Sequence, residues 1–226
     1  MDTPAHLPTL FLSHGSPMLA VEDSPAGRFL DQLGGELPRP KAVLVASAHF
    51  TADRPTLGAD PTPRTVHDFR GFPPPLYDIR YPVPGAPDLA QRISGLLSDA
   101  GLSPQIRQGD GIDHGVWVPL RRMYPQADIP VVPLSVMPHG DAAAHYAIGR
   151  ALAPLRADGV LVIGSGGFVH NLGDLDWHAH DVPLSPWALE FSEWMHRALA
   201  GDDLPALLDW QHARRTRNAR TRPSNT

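Results

Sequence analysis

The sequence contains no cysteine. Disulfides and thiolate-bound metal are therefore excluded, and any metal must be held by histidine, carboxylate, carbonyl or water. Lysine is almost absent too: Lys41 is the only one, so positive charge rests on arginine. No apolar run reaches about 18 residues, the length a membrane-spanning helix needs. The start, MDTPAHLPTL, lacks the basic and long apolar regions of a secretory signal. A cytoplasmic location is the default expectation. The net charge of −5 offers no global basic field, so neither nucleic acid nor a membrane is an expected partner. What is present suits a globular chain of 226 residues, 42% hydrophobic and 19% charged, long enough to bury a large core.

Apolar runs of strand length alternate with helical patterns. Strands are expected over 9–13, 42–48, 129–136 and 160–167, with a short one in SPQIRQ. The run AVLVASAH is apolar nearly throughout, the pattern of a central strand covered on both faces. Helices are expected from Ser24 to about Leu33, ended by Gly-Gly, and over 86–101, 141–159 and 185–201, with a short last one in DLPALLDW. HGVWVPLRRMYP reads as loop turning into helix. The segment 67–85 is rich in proline and aromatic residues and reads as an ordered loop. This order predicts a single-domain α/β fold, a three-layer sandwich around a mainly parallel, mixed sheet. The domain is expected over 1–210. The tail 211–226 carries five arginines and almost no apolar residue, and is expected to be disordered.

Three strands deliver a histidine at or just past their carboxyl ends: His14, His49 and His170. Ligand sites in open α/β sheets form at that edge. Parallel strands would place all three imidazoles on one rim, and His114, from the loop DGIDHGVW, could join them. Clustered neutral imidazoles suit a divalent metal, each giving one nitrogen while the other donates to a neighbouring acceptor. A single histidine after a strand is more often just a hydrogen-bonded loop residue; three at equivalent places favour a shared site. Gly15 and Gly115 follow two of these histidines and allow close approach. The other histidines read as surface or loop residues, including the WHAH run at 177–180. GSGG at 164–167 lacks a phosphate loop's Gly-Lys-Ser, and no Gly-x-Ser-x-Gly elbow is present.

Five stretches in order, LFLSHGSPM, LPRPKAVLVASAHF, TVHDFRGFPPPLYDIRYPVPGAPDLA, GIDHGVWVPLRRMYPQADIPVVPLS and GSGGFVHNL, resemble the LigB-type (class II) extradiol aromatic ring-opening dioxygenases. The similarity is to the single-subunit branch typified by DOPA 4,5-dioxygenase. It implies that His14 and His49 bind the metal. It places His170 at the same centre, as a further ligand or as the acid/base, and His114 in the pocket as proton donor or substrate-orienting group. His67, Phe72 and Tyr77 would wall the substrate cavity. The implied reaction uses Fe2+ and O2 to open the ring of a catechol-type substrate next to its diol; Zn2+ could occupy the site without supporting this chemistry.

The resemblance runs to about Trp210. Family members continue with a segment of the type His-Pro followed by Glu-His-Leu-Leu-Pro-Leu, which carries another metal-facing histidine. The expectation is a frameshifted C-terminus and impaired activity, checked by reading the other frames of the DNA beyond Trp210. The rival readings are a zinc-dependent hydrolase and a non-catalytic homologue.

Overall fold

The apolar run recognised in the sequence forms β2 (Ala42–Thr51), which lies between two parallel neighbours, β6 (Val160–Gly166) and β5 (Val131–Val136). Its near-continuous apolarity follows from that place: Val43, Leu44 and Val45 have no exposed surface, because both faces are covered. The structure is a computed structural model that describes residues 6–171, 173 and 185–211. The sheet has six strands in the order β1-β6-β2-β5-β3-β4, with β1 at Thr9–Ser13, β3 at Thr56–Gly58 and β4 at Gln105–Arg107. β3 runs antiparallel to β5, so the sheet is mixed, as expected. The sequence reading did not include β3, whose three residues are too few to show a period.

Side chains alternate between the faces. Val43, Val45, Leu161 and Ile163 pack with Leu30 of α1 (Pro25–Glu36) and Trp117 and Leu120 of α4 (His114–Met123). Leu44, Val132, Leu134 and Val160 pack with Ile93 and Leu97 of α3 (Pro87–Asp99) and Ile148 and Leu152 of α5 (Ala142–Leu152). These are the three expected layers. Apart from the first three residues of α5, they lie in one of two compact units, Met1–Gly140 with His145–Gly166. The other, Asp141–Ala144 with Gly167–Thr226, carries α6 (Pro186–Ala200) and α7 (Leu204–Leu208). No described helix is long and apolar enough to cross a membrane. The arginine-rich stretch 212–226 and the WHAH run lie outside the described residues.

Two local expectations are corrected. α1 does not stop at Gly-Gly but runs through it to Glu36, capped at its start by Ser24, whose hydroxyl accepts from the Gly27 N–H. Gly34 is there for packing: a Cβ would stand 2.0 Å from the Met123 carbonyl oxygen of α4. α4 begins at His114 itself rather than after a loop. The Asp113 carboxylate accepts from the Gly115 N–H at 2.8 Å and caps the first turn. The segment 67–85 is an ordered loop holding the single-turn helix α2 (Pro74–Tyr77), and buried Tyr81 ties it down by donating to the Tyr124 carbonyl at 2.8 Å.

The two glycines of α1 should respond oppositely to alanine. Gly34→Ala forces the α1–α4 backbones apart and should cost about 1–3 kcal/mol. At Gly35, exposed and with nothing near a Cβ, alanine should stabilise by up to about 1 kcal/mol. Urea unfolding of both variants measures the difference; equal effects would refute the close approach.

Candidate metal centre

Register places the centre. β6 lies between β1 and β2, with Ser13 opposite Gly166 and Ser47 opposite Ser165. His14 leaves the end of β1, and His49 stands two residues past Ser47. Strand β2 runs on to Thr51 with a register shift after Ser47, so His49 sits in the strand's irregular end rather than beyond it.

His14 is buried, and its two ring nitrogens have distinct partners. Nδ1 lies 2.9 Å from Ser165 Oγ, and Nε2 lies 3.0 Å from Nε2 of His49. The Ser165 hydroxyl donates to the Gly115 carbonyl at 2.6 Å, which uses its only proton. Its oxygen must then accept from His14 Nδ1–H, and Nε2 turns its lone pair toward His49 Nε2. The Gly115 carbonyl can serve Ser165 because the residue four places on is Pro119, inside α4, which has no N–H to return. Gly115 cannot carry a side chain here: a Cβ would stand 2.4 Å from Ser47 Oγ and 3.3 Å from His14 Cε1. Gly15 has a different task, a backbone φ of +58° that turns the chain after β1.

His114 enters from the first turn of α4, also buried. Its Nδ1 lies 2.9 Å from Asp68 Oδ1, and its backbone N–H donates to the same oxygen at 3.0 Å. The other oxygen, Oδ2, is 3.5 Å from His49 Nδ1. Burial alone would raise the Asp68 pKa, but the hydrogen bonds from the His114 ring and backbone, with the charge of that ring, outweigh it and hold it at about 2. Asp113 goes the other way: burial pushes its pKa up and the charge of Asp68 adds to this, against a 2.6 Å hydrogen bond from Ser47 Oγ. The ring centroids of His49 and His114 are 4.0 Å apart, and that of His14 is 4.9 and 5.1 Å from them. Together the three offer ligand nitrogens within 4.8 Å of one another, the one such group among the described residues that could hold a metal ion.

The donor set fits a divalent transition metal. Two nitrogens bound to one ion at about 2.0–2.1 Å stand roughly 2.9–3.4 Å apart for right-angle to tetrahedral geometry. The His14–His49 separation of 3.0 Å falls in that range.

Beside the histidines is an aromatic wall. Phe69 meets His114 edge-on at 5.6 Å and lies 5.3 Å from both Phe72 and Tyr77. His67 packs 6.0 Å from Tyr77 and 5.7 Å from Trp117, its Nε2–H donated to the Ile79 carbonyl at 3.1 Å. His67, Phe72 and Tyr77 were expected here; Phe69 was not singled out. His170 is exposed, four residues past the end of β6 in the second unit, and is not part of the three-histidine group. Sequence reasoning also passed over Asp68, Ser165 and Pro119. An acid directly after His67 and a proline within a helical pattern were the available signals.

Residues 8–224 match the family described as the catalytic LigB subunit of aromatic ring-opening dioxygenase. A 4,5-DOPA dioxygenase extradiol of Beta vulgaris is 46% identical over 195 residues, 84% of this chain and 72% of the relative. One of Escherichia coli K12 is 46% identical over 189 residues, 84% of this chain and 69% of the relative. The crystal structure of an uncharacterized Escherichia coli K12 protein superposes with a TM-score of 0.72 at 41% identity, over 85% of this chain and 72% of the other.

Ser165→Ala should keep the fold but leave His14 Nδ1 and the Gly115 carbonyl without their partner, at a cost of about 1–3 kcal/mol. It should also weaken the binding of added Zn2+ by about 10–100-fold. Urea unfolding and competition against a chromogenic chelator read the two effects. Unchanged Zn2+ binding would show that Ser165 does not set the His14 tautomer.

Proposed function

Because this chain belongs to the LigB family of aromatic ring-opening dioxygenases, we propose that it is an extradiol dioxygenase that opens a catechol-type, DOPA-like ring with O2 at a ferrous centre. The observation that supports this best is the approach of His14 and His49, Nε2 to Nε2 at 3.0 Å, with the His14 proton committed to the far side of its ring. His14 and His49 are the proposed ligands, with His170 as a third ligand or as an acid/base. Ferrous iron would supply the redox-active centre where catechol and O2 meet, which zinc, having no accessible redox change, would not.

The chain's own residues have definable tasks in this reading. His114 commits Nδ1–H to the ionised Asp68, which leaves Nε2 to take a catechol hydroxyl proton and later return it. Burial of the ring keeps bulk water from competing for that nitrogen. Phe69, Phe72 and Tyr77 present apolar faces and edges to a flat ring, and His67 is held in that wall by the Ile79 carbonyl.

The test is anaerobic loading with Fe2+ followed by DOPA in air. A yellow ring-opened product is expected, and absence of turnover by an iron-loaded protein across simple catechols would overturn the reading. His14→Ala and His49→Ala should each lose stoichiometric iron. His114→Ala should retain iron and slow turnover by about 10²–10⁴-fold; loss of iron in that variant would make His114 a ligand instead.

A further inference from the structure

We infer that Ser47 is a positioning residue: its one buried hydroxyl pins the bulge of β2 that carries His49 and ties that bulge to the first turn of α4, which carries His114. This role rests on the metal-dependent reading above and deepens it, because it fixes where a proposed ligand sits, whichever tautomer its ring adopts.

The geometry begins in the sheet. After Ser47, β2 advances four residues, to Thr51, while β5 advances one, from Ser135 to Val136. His49 sits in the middle of that excursion. A bulge next to a site re-aims a side chain, and the backbone groups that leave the ladder need other partners. Ser47 supplies one. Its Oγ accepts from the His49 backbone N–H at 3.2 Å, a local bond that competes with the sheet ladder. The hydroxyl proton goes the other way, to Asp113 Oδ1 at 2.6 Å, and the same carboxylate oxygen accepts from the Gly115 N–H at 2.8 Å. His114 lies between Asp113 and Gly115. The backbone of one histidine is thus joined, through one hydroxyl and one carboxylate oxygen, to the turn that holds the other. Ser47 has no exposed surface, and a Cβ on Gly115 would stand 2.4 Å from its Oγ. The hydroxyl is therefore confined between strand and helix, with its one proton committed.

The neighbouring serines separate place from residue type. Ser47 pairs with Ser165 on β6 and with Ser135 on β5. Ser165 reaches the His14 ring. Ser135 is also buried, but it holds the turn into β3, accepting from the Thr56 N–H at 2.9 Å and donating to the Arg54 carbonyl at 3.1 Å. It has the same chemistry in the same row of the sheet, applied to a turn that carries no histidine.

Ser47→Ala and Ser135→Ala each remove one buried hydroxyl and should lower stability to urea by similar amounts. Competition against a chromogenic chelator, on full chains shown to be folded by circular dichroism, should tell them apart. Zn2+ affinity should fall about 10–100-fold in Ser47→Ala and stay at the natural value in Ser135→Ala. Ser47→Thr keeps the hydroxyl and should bind Zn2+ more tightly than Ser47→Ala. By NMR, the His49 amide proton of the metal-free natural protein should exchange slowly with solvent, and in Ser47→Ala exchange at both His49 and Gly115 should speed up. In the iron-loaded enzyme kcat should fall more than KM changes.

Equal Zn2+ affinities in the two alanine variants would overturn the inference, whether both fell or neither did. Free exchange of the His49 amide in the natural protein would overturn it without any variant, and so also if Ser47→Ala did not fold. If the natural protein bound no divalent metal, the proposed function would fail, and the exchange rates at His49 and Gly115 would still decide the role of Ser47.

Discussion

The Ser165 hydroxyl has one proton to give, and the centre depends on where it goes. It goes to the Gly115 carbonyl, so the oxygen faces His14 as an acceptor and His14 turns a lone pair toward His49. The fold supplies every part of this. Ser165 is on β6, between the strands that end in His14 and His49, and Gly115 is in the first turn of the helix over that end of the sheet. The pairing of β6 with both β1 and β2 places the histidines. The side-chain hydrogen bonds decide which of their nitrogens face one another.

A second, looser construction meets this one. The rim built by β1, β2 and β6 is made of paired backbone, whereas Asp68 and the aromatic wall come from the loop over 67–85. Residues of the two constructions meet at His49 and His114. Strand-borne His14 has its orientation fixed by Ser165, while His114, at a helix start, and His49, in an irregular strand end, face a carboxylate that the loop supplies. The aromatic loop residues and the acid between them thus stand differently, the rings packed on one another and on His114, the acid facing two imidazoles.

The strands, their order of appearance and the rim histidines at 14 and 49 were legible because apolar runs covered on both faces leave a strong mark. The start of α1 was nearly as clear, since Ser24 is a capping residue, whereas the Asp113 cap was passed over and the start of α4 was read as loop. β3 was not legible, being three residues long, and Gly34-Gly35 misled because a glycine needed for close helix packing looks like one that ends a helix. Asp68 was hidden for another reason. Its partners His49 and His114 are 19 and 46 positions away in sequence, and no local pattern announces a long-range hydrogen bond. His114 was expected in the pocket from the family resemblance; its place in the first turn of α4, against Asp68, came from the structure.

Pro119 sets the stability of α4 against the hydrogen bonding that orients His14. An interior proline typically costs a helix roughly 3 kcal/mol, and here the same missing N–H leaves free the carbonyl that Ser165 uses. Selection for heat resistance alone would favour replacing it with a better helix former. The variant that gained would have a complete helical ladder competing with Ser165 for the Gly115 oxygen. A consensus or thermostability campaign on this chain should therefore treat position 119 as belonging to the three-histidine centre, although its side chain makes none of the hydrogen bonds there.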